Sequence, residues 1–151
     1  MSVVPLRSVE APEGLLDAHA LIPDGKYQLH FVHHETRLMF KGRAKLALWF
    51  SLCEPGTYFG TLVARWYNVR DLIGKPGRGG RFRAPASGEM AYEYVSLFRP
   101  IGRLDRISLD PFRHNIVIGE VGSVTENREQ REIPEQLRYS VIKKLLNVWA
   151  P

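Results

Sequence analysis

His30, His33, His34 and Glu35 stand close together, and imidazole and carboxylate side chains are good ligands for zinc or iron. Their spacing argues against one shared ion. On an extended strand His30 and His34 share a face but lie about 13 Å apart at roughly 3.3 Å per residue, while His33 and His34 leave opposite faces. They read as solvent-facing strand histidines. Cys53 is the only cysteine, so this chain alone can build neither a disulfide nor a cysteine zinc site. No serine sits in a Gly-x-Ser-x-Gly elbow, and Cys53 beside Glu54 reads as an inert thiol. Gly74-Lys75-Pro76-Gly77-Arg78-Gly79-Gly80 has glycines and bases without the order of a P-loop. Asp105 and Asp110 each have an arginine nearby, Arg106 and Arg113, which makes a metal-dependent nuclease a remote third reading. No catalytic residue, metal or cofactor is expected.

The remaining chemistry is basic residues interleaved with aromatics: Arg65-Trp66-Tyr67, Arg81-Phe82-Arg83 and Phe98-Arg99. Bases of an unpaired strand stack on aromatic rings for about 1–3 kcal/mol each while arginines neutralise phosphates, so one surface with both binds single strands with little sequence preference. The charge distribution agrees. The formal net charge is +5, yet from Arg37 to Arg83 ten bases face only Glu54 and Asp71, a local excess of +8. Arginine outnumbers lysine 15 to 6, and guanidinium is the cation that forks onto phosphate. The candidate nucleic-acid-binding residues are Arg65, Trp66, Tyr67, Lys75, Arg78, Arg81, Phe82 and Arg83.

The elements that must position these residues follow from periodicity. Residues 1–22 read as an arm, and residues 23–151 as a single domain. After the turn Pro23-Asp24-Gly25, Tyr27, Leu29 and Phe31 alternate with polar residues in a first strand, with a bend expected at Glu35-Thr36-Arg37. Leu46, Leu48, Phe50 and Leu52 alternate in a second strand, with Gly42 at a bulge. Tyr58 to Val69 reads as a third. In it Leu62, Ala64 and Trp66 share one parity, and Val63, Arg65, Tyr67 and Val69 the other. Since arginine is rarely a core residue, Trp66 is expected inside and Tyr67 outside. Residues 71–88, rich in glycine and arginine, read as a loop that contributes no core. Glu89 to Phe98 has helical spacing after Ser87, a usable N-cap; Arg106–Leu109 and Asn115–Val124 read as strands, joined by a polar connection over Asn127–Glu132 to an amphipathic helix over 134–149, with Leu137, Val141, Ile142, Leu145 and Leu146 on one stripe. The fold class is thus mainly β (α+β).

Three strands, a helix and further strands resemble the OB-fold, a curved antiparallel sheet closing toward a barrel. Pro23-Asp24-Gly25-Lys26-Tyr27, Lys45-Leu46-Ala47-Leu48-Trp49-Phe50 and Tyr58-Phe59-Gly60-Thr61 look like the small single-stranded-DNA-binding proteins of phages and conjugative elements. The resemblance covers about a third of the chain and implies non-catalytic single-stranded DNA binding in replication, recombination or transfer of a mobile element. Bacterial single-stranded-DNA-binding proteins usually end in a disordered acidic tail, where this sequence reads instead as an apolar helix reaching Trp149. A rival reading is a protein-interaction module that uses helix 134–149 to form homo-oligomers or to join replication or transfer machinery. With neither a membrane-length apolar run nor a signal-peptide pattern, the expected setting is the cytoplasm, with no membrane partner.

Overall fold

The computed structural model describes residues 20–85, 87–100, 107–124 and 139–150. Strand β1 is Gly25–Leu38. Leu29 and Phe31 point into the core, but pairing then slips: Phe31 lies opposite Phe50 while His33 lies opposite Trp49. Val32 is the extra, exposed residue of a β-bulge, and beyond it the inward parity changes so that Thr36 is fully buried. The bend expected at Glu35-Thr36-Arg37 is therefore a bulge at Val32, and the strand continues. The chain reverses at a 3-10 turn, Phe40–Gly42, where Lys41 (φ 65°) and Gly42 (φ 73°) are both left-handed. Gly42 serves this turn rather than a bulge.

β2, Ala44–Leu52, is buried on both faces: Leu46, Leu48, Phe50 and Leu52 enter the main core, Ala47 and Trp49 the opposite side. β3 is Leu62–Asn68. The segment from Tyr58 expected to begin it forms a turn instead, with the Leu52 N–H donating to the Thr61 carbonyl (2.9 Å) and Phe59 exposed. The stretch expected to be a structureless loop folds too, as β4 (Asp71–Ile73), β5 (Gly77–Arg78) and β6 (Arg81–Arg83). β4 pairs with β6, β5 pairs with β1, and Leu72 and Phe82 pack on the core.

Helix α1, Glu89–Phe98, buries Met90, Ala91, Glu93, Tyr94 and Leu97 along one stripe and ends at the left-handed Arg99. Gly88, not Ser87, is its N-cap, and no side chain caps it. Ile107 to Leu109, expected in a strand, leads into a single helical turn, α2 (Asp110–Arg113), which Pro111 favours in the first-turn position. This turn drives Phe112 into an aromatic cluster, 4.9 Å from Phe98 and about 6 Å from Phe31, Phe50 and Tyr94.

β7 is Ile116–Val124 and β8 is Tyr139–Val148. β8 overturns the expected C-terminal helix over the described part of 134–149, and the reason is visible in the pairing. The register slips between Ile118 and Gly119 and again between Glu120 and Val121, leaving Leu146 and Lys143 as extra residues in β8. Two bulges so close together bring Ile142, Leu145 and Val148 to the core side at intervals of three, which imitates a helical stripe. Ile142 and Leu145 of the expected stripe lie inside the domain, while Val141 and Leu146 are half-buried. The arm's first residues, the connection 127–132 and Leu137 lie outside the described residues.

The main sheet runs β3-β2-β1-β7-β8, every pair antiparallel, with β5 on β1. Strands make up 52% of the described residues, and the sheet curls strongly into a half-barrel, the mainly-β, OB-like architecture expected from the sequence. Its curl brings β3 and β8 together beside α1. Among the described residues no helix is long and apolar enough to cross a membrane.

Gly119 lies where β7 packs closely against side chains of β1 and β8: a Cβ there would lie 2.5 Å from Leu29 and 3.3 Å from both Ile142 and Leu145, whereas at Gly122 it would meet the flexible Lys143 stem. Gly119→Ala should therefore cost about 1–3 kcal/mol of folding through overpacking. Gly122→Ala should stay within about 0.5 kcal/mol. Urea melts of both variants decide the matter, and equal losses would contradict this packing.

Candidate nucleic-acid interface

The expected faces of β3 are reversed. Val63, Arg65, Tyr67 and Val69 point into the domain, and Trp66 lies half-buried on the outer face with Leu62 and Ala64. An arginine is tolerated inside because α1 delivers a carboxylate to it. Glu93, 6% exposed, accepts from Arg65 Nε (3.0 Å), from Arg65 Nη2, from the Tyr67 hydroxyl (2.7 Å) and from the Leu145 N–H (3.1 Å). Arg65 also donates to Glu89 (3.0 Å) and lies 4.5 Å over the Tyr67 ring. Burial alone would lower the Arg65 pKa, but the bonds to Glu93 outweigh it, with Tyr67 and Glu89 assisting, and raise it further above its ordinary value. Burial, then the Glu93 charge, pushes the Tyr67 phenol well up. Arg65 and Tyr67 are thus a satisfied internal network and present nothing to a ligand.

Six arginines line two grooves beside the glycine-rich hairpin. The outer groove, about 640 Å³, is lined by His33, Arg37, Trp49 and Arg78 among others. In it the Trp49 indole N–H donates to Glu35 (3.0 Å) and the His33 ring stacks on Trp49 (6.3 Å), while the Arg37 guanidinium on its wall sits 5.3 Å over Trp66, which does not itself line the groove. Glu35 also pairs with Arg37 (3.5 Å). Flat cationic or imidazole groups laid on indoles present further flat surfaces, on which a base can stack.

The inner groove, about 860 Å³, is lined by Arg70, Arg81, Arg83 and Arg113 around the half-buried Phe82, with Asp110 the one carboxylate among its described lining residues. Arg83 pairs with Asp71 (3.2 Å) and Arg113 with Asp110 (2.8 Å), both in the open. No described carboxylate pairs with Arg70 or Arg81. His34 closes the groove, its Nε2 2.9 Å from the Gly80 carbonyl and its ring at the edge of Phe82.

Of the residues singled out from sequence, Arg78 falls in the outer groove, Arg81, Phe82 and Arg83 in the inner one, and Lys75 is exposed in the hairpin but lines neither. Arg37 and Arg70 were legible as part of the basic stretch; Arg113 had no local signal and joins through α2. Trp49 could have been read from its shared parity with Lys45 and Ser51. Cys53 is half-buried, and burial, with Glu54 assisting, raises its thiol pKa, the opposite of an activated nucleophile. What these features define is a class: an OB-like β domain bearing cationic, aromatic-lined grooves. No protein-family model, curated protein or solved structure matches the chain.

Tyr67→Ala should lower the unfolding free energy by about 3–5 kcal/mol, as truncation of a buried ring. Glu93→Ala should cost a similar 3–5 kcal/mol by stranding a buried guanidinium. Trp66→Ala, at a half-buried outer site, should cost roughly half as much. Chemical denaturation of the three variants measures this order, and a larger loss at Trp66 than at Tyr67 would contradict the assigned faces.

Proposed function

We propose that the protein binds single-stranded nucleic acid without catalysis, using the two grooves beside the glycine-rich hairpin. The observation that carries this reading is the inner groove, where four arginines surround an aromatic ring and two of them have no described carboxylate partner. Guanidinium groups neutralise phosphates, while Phe82 here, the His33/Trp49 layer in the outer groove and the Arg37/Trp66 layer beside it offer flat surfaces to unpaired bases. Single-stranded DNA is the ligand implied by the resemblance to phage and conjugative-element proteins, with replication, recombination or transfer of a mobile element as its setting. Compared with the reading from sequence, Arg65, Tyr67 and Lys75 leave the contact surface, and Arg37, Arg70 and Arg113 enter it.

Fluorescence anisotropy with a labelled oligothymidylate over a range of salt tests the reading. Affinity should fall steeply with salt, with a log–log slope of roughly −0.7 per phosphate neutralised. The double variant Arg70→Ala/Arg81→Ala should flatten that slope by about 1.4. Its urea midpoint should hardly move, because exposed substitutions usually matter by less than about 0.5 kcal/mol. Salt-independent binding, or tighter binding to a duplex than to a single strand, would contradict the proposal.

A further inference from the structure

We propose that the two grooves are halves of one path, and that a single strand crosses from one to the other over the turn at residues 77–80. The inference rests on the nucleic-acid reading above and adds the route of the ligand. Consecutive residues of the hairpin form both walls: Pro76, Gly77 and Arg78 border the outer groove, Gly79, Gly80 and Arg81 the inner one. On β1 the neighbours His33 and His34 do the same from opposite faces. The grooves therefore lie on the two sides of one sheet edge, the β1–β5 pair, and only the thickness of that edge separates them.

The edge is fixed and bare. The Gly79 N–H donates to the His34 carbonyl (2.9 Å), the Gly80 N–H to the Gly77 carbonyl (3.0 Å), and the Gly77 N–H to the Thr36 hydroxyl (3.2 Å). Gly80 sits so close to Thr36 that a Cβ would overlap its hydroxyl, which accounts for that glycine. Gly77 (φ 140°) and Gly79 (φ 71°) are required by their backbone conformation, yet open space lies where their Cβ atoms would be. The result is a ridge whose one side chain, among these four residues, is the exposed Arg78, set to meet the phosphate at the crossing. Glycines permit such close backbone approach. A flexible single strand can bend over an edge of this kind; a duplex, with a persistence length of about 50 nm, cannot. The crossing thus supplies a physical reason for strand selectivity that charge alone does not.

Anisotropy titrations with trithymidylate and dodecathymidylate, on the full chain and on Arg78→Glu, test the route. The long oligomer should bind one per protein and much more tightly than the short one, which fits one groove. Placing a carboxylate on the ridge should weaken dodecathymidylate at least about tenfold more than trithymidylate, since the trimer can still seat in the inner groove, which Arg78 does not line, whereas the dodecamer must pass the repelling carboxylate at the crossing. Gly79→Asn, an αL-compatible residue that adds a side chain to the ridge, should act in the same direction and guards against an effect peculiar to the charge change. An unaltered length advantage in both variants, or two dodecamers bound per protein, would overturn the crossing while leaving the nucleic-acid reading intact. Failure of the unaltered protein to bind either oligomer would overturn both.

Discussion

Glu93 is a carboxylate that almost nothing around it could replace, because its acceptor sites are taken up by donors from two separate strands. Arg65 and Tyr67 come from β3, Leu145 offers its backbone N–H from β8, and the carboxylate itself is carried by α1. β3 and β8 are the two ends of the main sheet. A curled sheet that stops short of closing has two edges to satisfy, and here one buried side chain gathers groups from both. Burying the pair carries a desolvation cost, so its worth lies less in net stability than in fixing which ends meet.

That constraint decides what is left for the surface. With Arg65 and Tyr67 committed to Glu93, the inner face of β3 is closed, and the cations that line the grooves are those around the hairpin and at α2. The hairpin is held in place by its own ladder, by β5 on β1 and by Leu72 and Phe82 in the core, so its arginines project from an ordered frame. Such preorganisation lowers the ordering cost of binding.

Much of this architecture is legible in the sequence wherever alternation is clean: the first half of β1, β2, α1 and β7 follow from period alone. Two of the readings that fail share a cause. At Val32, and again at Lys143 and Leu146, a β-bulge inserts one residue and changes the inward parity, so local periodicity misleads about a bend in one place and a helix in the other. Trp66 and Tyr67 fail for a different reason. Parity groups Arg65 with Tyr67 correctly, but which group faces inward depends on Glu93, 28 residues from Arg65 along the chain, and no local pattern announces that partner. The glycine-rich segment looked like a loop because its core contribution rests on only two side chains, Leu72 and Phe82. Its basic character, by contrast, was plain, and three of its arginines do border the grooves.

The central claim is that ligand contacts fall on the hairpin and its flanking grooves and spare the buried β3 network. Residue-by-residue amide shifts of isotopically labelled protein, followed by NMR as an oligothymidylate is added, test it most directly. The expected result is large, saturable shifts at residues 33–37 and 77–83 and around Arg70 and Arg113, with Arg65, Tyr67 and Glu93 little changed. Shifts centred on β3 and α1, with the hairpin unaffected, would contradict it.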